Sequence, residues 1–299
     1  MSESGHWIHN LDPKLIHIYG NIGVSYYGLA YVLAFVFCIV MHRLYLRRNR
    51  SPFILEQEEV ALYACVLGVL VGARVGYVIL YALPDFLARP WLIFEVWNGG
   101  MSFHGGFIGV VIACWYIYRR TGVTMLQFSD MITTMAPMGL LLGRIANFIN
   151  GELWGHVTNV WWAVVFPRSG VGPAELLPAR HPSQLYEASL EGAVLLIYMQ
   201  LRFWKSNATR TPGKLTGEFM ILYAIFRIFC EYFREPDASL ILGMSRGTFY
   251  SIFIFIVGIF FWARAQRRGE IPYPVHEPTA EVKKTPPNTQ TKKSKKKKK

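Results

Sequence analysis

Apolar runs of bilayer length recur along the chain, each bounded by a polar, glycine- or proline-containing stretch. A helix needs about 20 residues to cross the hydrocarbon core. The runs therefore predict spans at roughly 24–41, 60–83, 101–118, 131–149, 184–203, 216–233 and 247–263. The fold class that follows is an all-α polytopic integral membrane protein with about seven transmembrane helices. The sizeable polar interruption at about 152–182 predicts a small outer head segment. Its Trp154, Trp161, Trp162 and Phe166 suit the headgroup interface as an aromatic belt. Beyond the last run, proline and lysine dominate, so 266–299 predicts a disordered, lysine-rich tail and leaves 1–265 as the membrane domain.

Composition agrees with this pattern: 53% of the 299 residues are hydrophobic, and the mean hydropathy is +0.27. The net charge of +12 resembles a nucleic-acid signal until it is located. One set of loops and the tail hold 22 of the 31 Lys and Arg, the opposite set holds 6, and Arg74, Arg144 and Arg227 lie inside spans. Basic loops stay in the cytoplasm. The charge thus predicts an N-terminus outside (periplasmic), a cytoplasmic C-terminus and no nucleic-acid partner. Attraction to anionic membrane lipid is the role left for the tail. Cys38, Cys65, Cys114 and Cys230 stand apart in apolar surroundings and read as free thiols. The polar, aromatic start lacks a basic flank, so no cleavable signal peptide is expected. The histidines have no ligand spacing, so neither a metal nor a cofactor is expected.

Orientation assigns depth. At 1.5 Å per residue, Arg74 and Arg144 each sit about 20 Å up a span that rises outward, and Arg227 lies in the outer half of span six. Tyr26, Tyr27 and His104 fall near the outer starts of descending spans. Every ionisable group within a span is thus expected in the outer half, with the cytoplasmic half nearly uncharged. A transporter would need a polar path through both halves. A scaffold would not need three in-span arginines on one side. A catalytic site toward the outer leaflet accounts for both features.

Intramembrane charges normally face a partner, a cavity or a ligand. Arg144 opens the stretch Gly143–Gly155, which also carries Asn147, Asn150 and Glu152; Asn150-Gly151 is in addition a good helix stop. Tyr223, Arg227, Glu231 and Arg234 share one helix face. Arg227 and Glu231 form either a self-satisfied pair or an arginine held out to an anion. Glu187 and its neighbour one turn on, Glu191, can pair with Arg74 or Arg144. His104 lies among Gly99, Gly100, Gly105 and Gly106, which allow close approach of backbone or ligand. An uncharged imidazole there can take a proton.

These blocks carry a resemblance. Gly143-Arg144-x-Ala146-Asn147-Phe148-x-Asn150-x-Glu152-x-x-Gly155 is similar to the signature of bacterial prolipoprotein diacylglyceryl transferases. Tyr26-Tyr27-Gly28-Leu29, Gly72–Tyr77, Gly99–Gly106, Arg180–Glu187 and Phe226 to Asp237 follow in the family's order over about 10–265. The chain departs from the family pattern at Arg246-Gly247-Thr248. The resemblance implies transfer of the sn-1,2-diacylglyceryl group of phosphatidylglycerol to the lipobox cysteine of prolipoprotein signal peptides. Glycerol 1-phosphate leaves, and the setting is the bacterial inner membrane. Expected catalytic residues are His104, Arg144 and Arg227. Expected substrate contacts are Tyr27, Arg74, Arg144, Asn147, Asn150, Glu152, Tyr223 and Glu231. The proton acceptor stays open between His104 and a thiol whose own acidity the arginines raise.

Overall fold

The structure is a computed structural model that describes residues 5–19, 22–96, 99–236 and 238–271. Short strands β1 (Trp7–Ile8) and β2 (Lys14–Tyr19) lead to β3 (Ile22–Ser25) and helices α1 (Tyr26–Arg47) and α2 (Leu55–Tyr81). A short α3 (Leu83–Ala88) and a 3-10 turn precede α4 (Phe103–Thr121) and α5 (Met125–Asn150). After the segment 152–182, with β4 (Val164–Val165), comes one continuous helical run: α6 (Ser183–Glu187), a π-helical stretch (Ala188–Val194) and α7 (Leu195–Lys205). The chain then forms α8 (Lys214–Glu231) and α9 (Arg246–Arg268).

Local chemistry sets these boundaries. Ser25 caps α1 by accepting the Gly28 amide at 3.0 Å. Thr124 caps α5 in a reciprocal pair with Gln127. Gly151, at φ 63°, takes the left-handed conformation that ends α5 at the expected stop. Tyr26–Arg47, Glu56–Tyr81, Met125–Asn150 and Arg246–Arg268 are long and apolar enough to cross a membrane, with mean hydropathies of 2.0, 1.9, 1.3 and 1.7. Their side chains face outward: Val32, Val36 and Val40 on α1 and Leu67, Val71 and Leu80 on α2 are exposed. An apolar exterior of this extent has lipid as its solvent. The protein is a mostly helical, multi-pass membrane protein. Phe103–Thr121, the run from 183 to 205 and Lys214–Glu231 coincide with the remaining predicted spans.

Two expectations need revision. Four short strands interrupt the all-α reading. β1 pairs in parallel with β4, and β2 pairs antiparallel with β3. Two-residue strands that join segments more than 150 positions apart leave no periodicity to read. The expectation that buried ionisable groups keep to the outer half also fails. Here the end bearing residues 152–182 is the head end, and its opposite the far end. His42, Glu58 and Asp130 are buried at the far end because α1, α2 and α5 extend beyond the predicted spans and pack their polar ends together. Glu218 is buried there inside a predicted span, in the first turns of α8.

The main core lies among these helices, with Tyr45, Phe53, Phe128, Met131, Leu195, Met199 and Phe203. Tyr45 stacks on Phe203 at 3.7 Å. α2 and α4 touch backbone to backbone: a Cβ on Gly72 would lie 2.9 Å from the Gly109 Cα, and one on Gly105 would lie 2.7 Å from the Gly76 Cα. Small residues allow this closeness between membrane helices. Helix α9 runs to Arg268, three residues into the region expected as tail. The lysine-rich remainder from 272 on lies outside the described residues, as do Asn98 and Asp237.

Candidate active site

Three elements converge at the head end: the last turns of α5, the α6–π junction and the last turns of α8. Arg144 of α5 sets Nε 2.8 Å from Glu187 Oε2 and Nη2 3.8 Å from Glu191 Oε2. Arg227 of α8 sets Nη1 2.6 Å from Glu187 Oε1 and 3.4 Å from Glu191 Oε1. It also pairs with Glu231 one turn further along α8. Arg234, just past α8, reaches Glu187 Oε1 at 3.2 Å. The open question of pairing is thereby answered: Glu187 and Glu191 face Arg144 and Arg227, not Arg74.

Burial makes the cluster consequential. Glu187 and Glu191 are fully buried, and stripping water from an ion costs several kcal/mol. Two unit charges 4 Å apart recover only about 4 kcal/mol at an effective dielectric of 20. The six charges therefore persist as a network in which Glu187 and Glu191 each serve more than one arginine, while Glu231 serves Arg227. Glu187 Oε2 and Glu191 Oε2 nevertheless accept no well-aligned hydrogen bond. Arg144 is the most open of the arginines, at 18% side-chain exposure against 10% for Arg227 and 6% for Arg234. Its Nη1 donates to nothing among the described residues. A guanidinium anchored on one edge and bare on another can receive an anion through two parallel hydrogen bonds.

The α5 exit is tied down separately. Glu152 Oε1 accepts Asn147 Nδ2 at 2.7 Å and Asn150 Nδ2 at 3.3 Å. Gln184 Nε2 donates to the Glu152 carbonyl at 2.6 Å, and Ser183 Oγ to that of Leu153 at 3.1 Å. Leu153 sits at φ 60°, unfavourable for a branched side chain; the bonds at Glu152 and Leu153 hold the turn. Gly155 fits where a Cβ would lie 2.8 Å from the His181 carbonyl. The motif from Gly143 to Gly155 thus combines one arginine for charge with a folded strap that locks α5 against α6.

The other expected residues take varied positions. Tyr223 lies within electrostatic reach of Glu191, Arg227, Arg144 and Glu187 and stacks on Phe219. Tyr27 is half-exposed in the first turn of α1, its ring 5.6 Å from that of Tyr31. His104 is exposed in the first turn of α4. Of the glycines beside it, Gly105 is committed to α2 and Gly100 to the ring of Tyr77, 2.5 Å from where its Cβ would stand. Arg74 is buried away from the carboxylates and donates to backbone carbonyls. The residues that the expected site omitted are Glu187, Glu191 and Arg234. The signal for the two acids was their one-turn spacing within a span, and for Arg234 its place on the helix face of Arg227 and Glu231.

At the water-exposed edge, His181 Nδ1 lies 3.1 Å from the Tyr186 hydroxyl, which also accepts Trp162 Nε1 at 2.5 Å. Burial, and then the charge of His156, holds the His181 imidazole below its usual pKa. His9 is likewise lowered by burial, and its Nε2 lies 2.7 Å from the Phe148 carbonyl.

The sequence pattern of the family described as prolipoprotein diacylglyceryl transferase matches residues 13–264. The chain belongs to the prolipoprotein diacylglyceryl transferase family. A relative from Rhizobium leguminosarum bv. trifolii, named phosphatidylglycerol–prolipoprotein diacylglyceryl transferase, is 42% identical over 277 residues, covering 88% of this chain and 94% of its own. Relatives of the same name from Proteus mirabilis and Vibrio cholerae are each 43% identical. They cover 87% of this chain, and 94% and 93% of their own lengths. As a family member, the chain is a transferase of lipoprotein biosynthesis, and the charged cluster lies within the matched region.

Proposed function

We propose that this chain transfers the sn-1,2-diacylglyceryl group of phosphatidylglycerol to the lipobox cysteine of prolipoproteins, the first step of lipoprotein maturation. The thiolate sulfur attacks the glyceryl C3 carbon. An S–C bond forms, the C3–O bond breaks, and glycerol 1-phosphate leaves with the bonding pair. The observation that carries this reading is the bare Nη1 edge of Arg144, held on Glu187 and Glu191 beside Arg227. Charge grows on the departing phosphate oxygen, and donors aimed at such charge are worth about 2.7–4 kcal/mol each. The outward end of α5 is a helix C-terminus, with the wrong dipole sign for a phosphate. The arginines supply the attraction instead.

A thiol of pKa about 8.5 is only a few per cent ionised at neutral pH. His104 takes the proton in this scheme, with the field of Arg144 and Arg227 favouring the thiolate. Tyr27, Asn147, Asn150, Glu152, Tyr223 and Glu231 line or brace the lipid and peptide path. The protein spans the bacterial inner membrane seven times, with the N-terminus outside, the C-terminus cytoplasmic and the site toward the outer leaflet. Residues 1–265 form the catalytic membrane domain. The bias of Lys and Arg among the loops supports that orientation.

The test is reconstitution. Purified protein with phosphatidylglycerol and a lipobox peptide is expected to yield the thioether and one glycerol 1-phosphate per turnover. Phosphatidic acid, or free phosphate, as the co-product would contradict the bond assignment.

A further inference from the structure

We infer that Arg74 is a positioning residue for the turn that carries His104, and that it does not bind the lipid phosphate. This rests on the transferase reading above. Arg74 is buried in α2. Its Nε donates to the Ile93 carbonyl at 3.0 Å, its Nη1 to those of Gly99 and Gly100 at 2.6 and 2.9 Å, and its Nη2 to that of Leu92. Four of its five N–H groups are thus spent on backbone oxygens, and no carboxylate pairs with it among the described residues. A phosphate would have to displace several of these bonds, whereas at Arg144 the Nη1 edge stands bare.

The carbonyls bound by Arg74 belong to the segment that leads into α4. Gly99 and Gly100 both adopt left-handed backbone, at φ 78° and 84°. Tyr77, three residues past Arg74 on α2, lays its ring under the Arg74 guanidinium, 5.5 Å from centroid to Cζ. The same ring closes on Gly100. The next link is backbone: the Ser102 amide donates to the Ala73 carbonyl at 2.9 Å. Ser102 Oγ then accepts the Gly105 amide at 3.3 Å and starts α4. His104 lies inside that capped first turn. Arg74, Tyr77 and Ala73 therefore fix both sides of the turn, and through it the height and direction of His104. The planar fork serves four carbonyls at once through spread-out donors; a lysine ammonium has three donors on one atom and cannot reach all four.

The experiment uses full-length protein in lipid nanodiscs and compares wild type with Arg74→Gln, Arg74→Lys and Tyr77→Leu. Steady-state turnover is measured against phosphatidylglycerol, and hydrogen exchange is followed over 90–102. Displacement of a reacting group by about 1 Å costs roughly 100-fold in rate. Both Arg74 variants are therefore expected to lower kcat by roughly that factor, with KM for phosphatidylglycerol within about twofold. Faster exchange should be confined to 90–102. Tyr77→Leu leaves the guanidinium in place and is expected to lower kcat in the same direction. A raised KM with preserved kcat, wild-type kcat in a folded Arg74→Gln, or a silent Tyr77→Leu would each overturn the assignment, as would faster exchange throughout the protein. If wild-type protein makes no thioether, the transferase reading fails instead. The exchange arm would still report whether Arg74 holds the turn.

Discussion

The two ends of the helical bundle both bury carboxylates, yet they satisfy them differently. At the far end, Asp130 accepts the Gly213 and Thr216 amides, each at 2.7 Å, and the Thr216 hydroxyl at 2.6 Å. Glu218 there takes Arg202 Nε and Nη2 at 2.8 and 2.6 Å and the Tyr198 hydroxyl at 3.2 Å. Asp130 and Glu218 thus have their own aligned donors, while Glu58 is met more loosely, by Arg43 Nε at 3.5 Å and His42 Nδ1 at 3.8 Å. At the head end, three arginines converge on Glu187, and one carboxylate oxygen on each of Glu187 and Glu191 lacks an aligned bond. One arginine edge remains bare. A closed network of the first kind locks helices together. The second kind is held by charge more than by geometry, so a visiting anion can be added at small cost. Burial of charge alone does not mark a site; surplus donors do.

The largest expected effect separates the ends by chemistry. Arg144→Ala and Arg227→Ala should each lower turnover by roughly 100- to 1,000-fold, and Lys should rescue poorly for want of the planar fork. Arg227→Ala should also lower the unfolding temperature, since loss of one partner of a buried pair costs about 3–5 kcal/mol. Thermal unfolding beside turnover checks the distinction. Folded variants with near-normal rates would make the head-end cluster structural, like the far end.

Asp130→Asn is the converse. The new amide sets a donor against the Gly213 amide, and stability should fall by about 1–3 kcal/mol. Turnover per folded molecule should stay the same. A loss of kcat in the folded fraction would carry the far end into the catalytic account and break the comparison.

How much of this was legible in the sequence follows from the range of each interaction. Apolar runs placed seven helices, because hydropathy is local. Their ends came out short where Glu58 and Asp130 are buried by neighbours rather than by apolar sequence. Arg227–Glu231 was readable as a one-turn pair. The partners of Glu187 were not, since Arg144 and Arg227 lie more than 35 positions away on other helices. Arg74 was legible as a buried charge but not as one that carbonyls satisfy. The glycines beside His104 announced close approach, though not that α2 is the neighbour. A parallel pairing of two-residue strands has no sequence signature.

Acid should sharpen the contrast further, by a smaller amount. His181 at the head end is half-buried, and burial holds its pKa below the unfolded value of about 6.5. Its stabilising contribution is complete above that pH and is lost as pH falls from there toward the folded value. Protection of the amides over 152–182, taken relative to their intrinsic exchange rates, should therefore fall below about pH 6.5, and His181→Gln should flatten that dependence. Equal acid sensitivity in the variant would remove His181 as the cause.

The most direct test is anion binding itself. Affinity for glycerol 1-phosphate, titrated calorimetrically into purified protein, should weaken about 10- to 150-fold in Arg144→Ala, the worth of charge-assisted hydrogen bonds at 1.5–3 kcal/mol. It should be unchanged in Asp130→Asn. Equal affinity in wild type and Arg144→Ala would contradict the claim that the bare edge of Arg144 receives the phosphate.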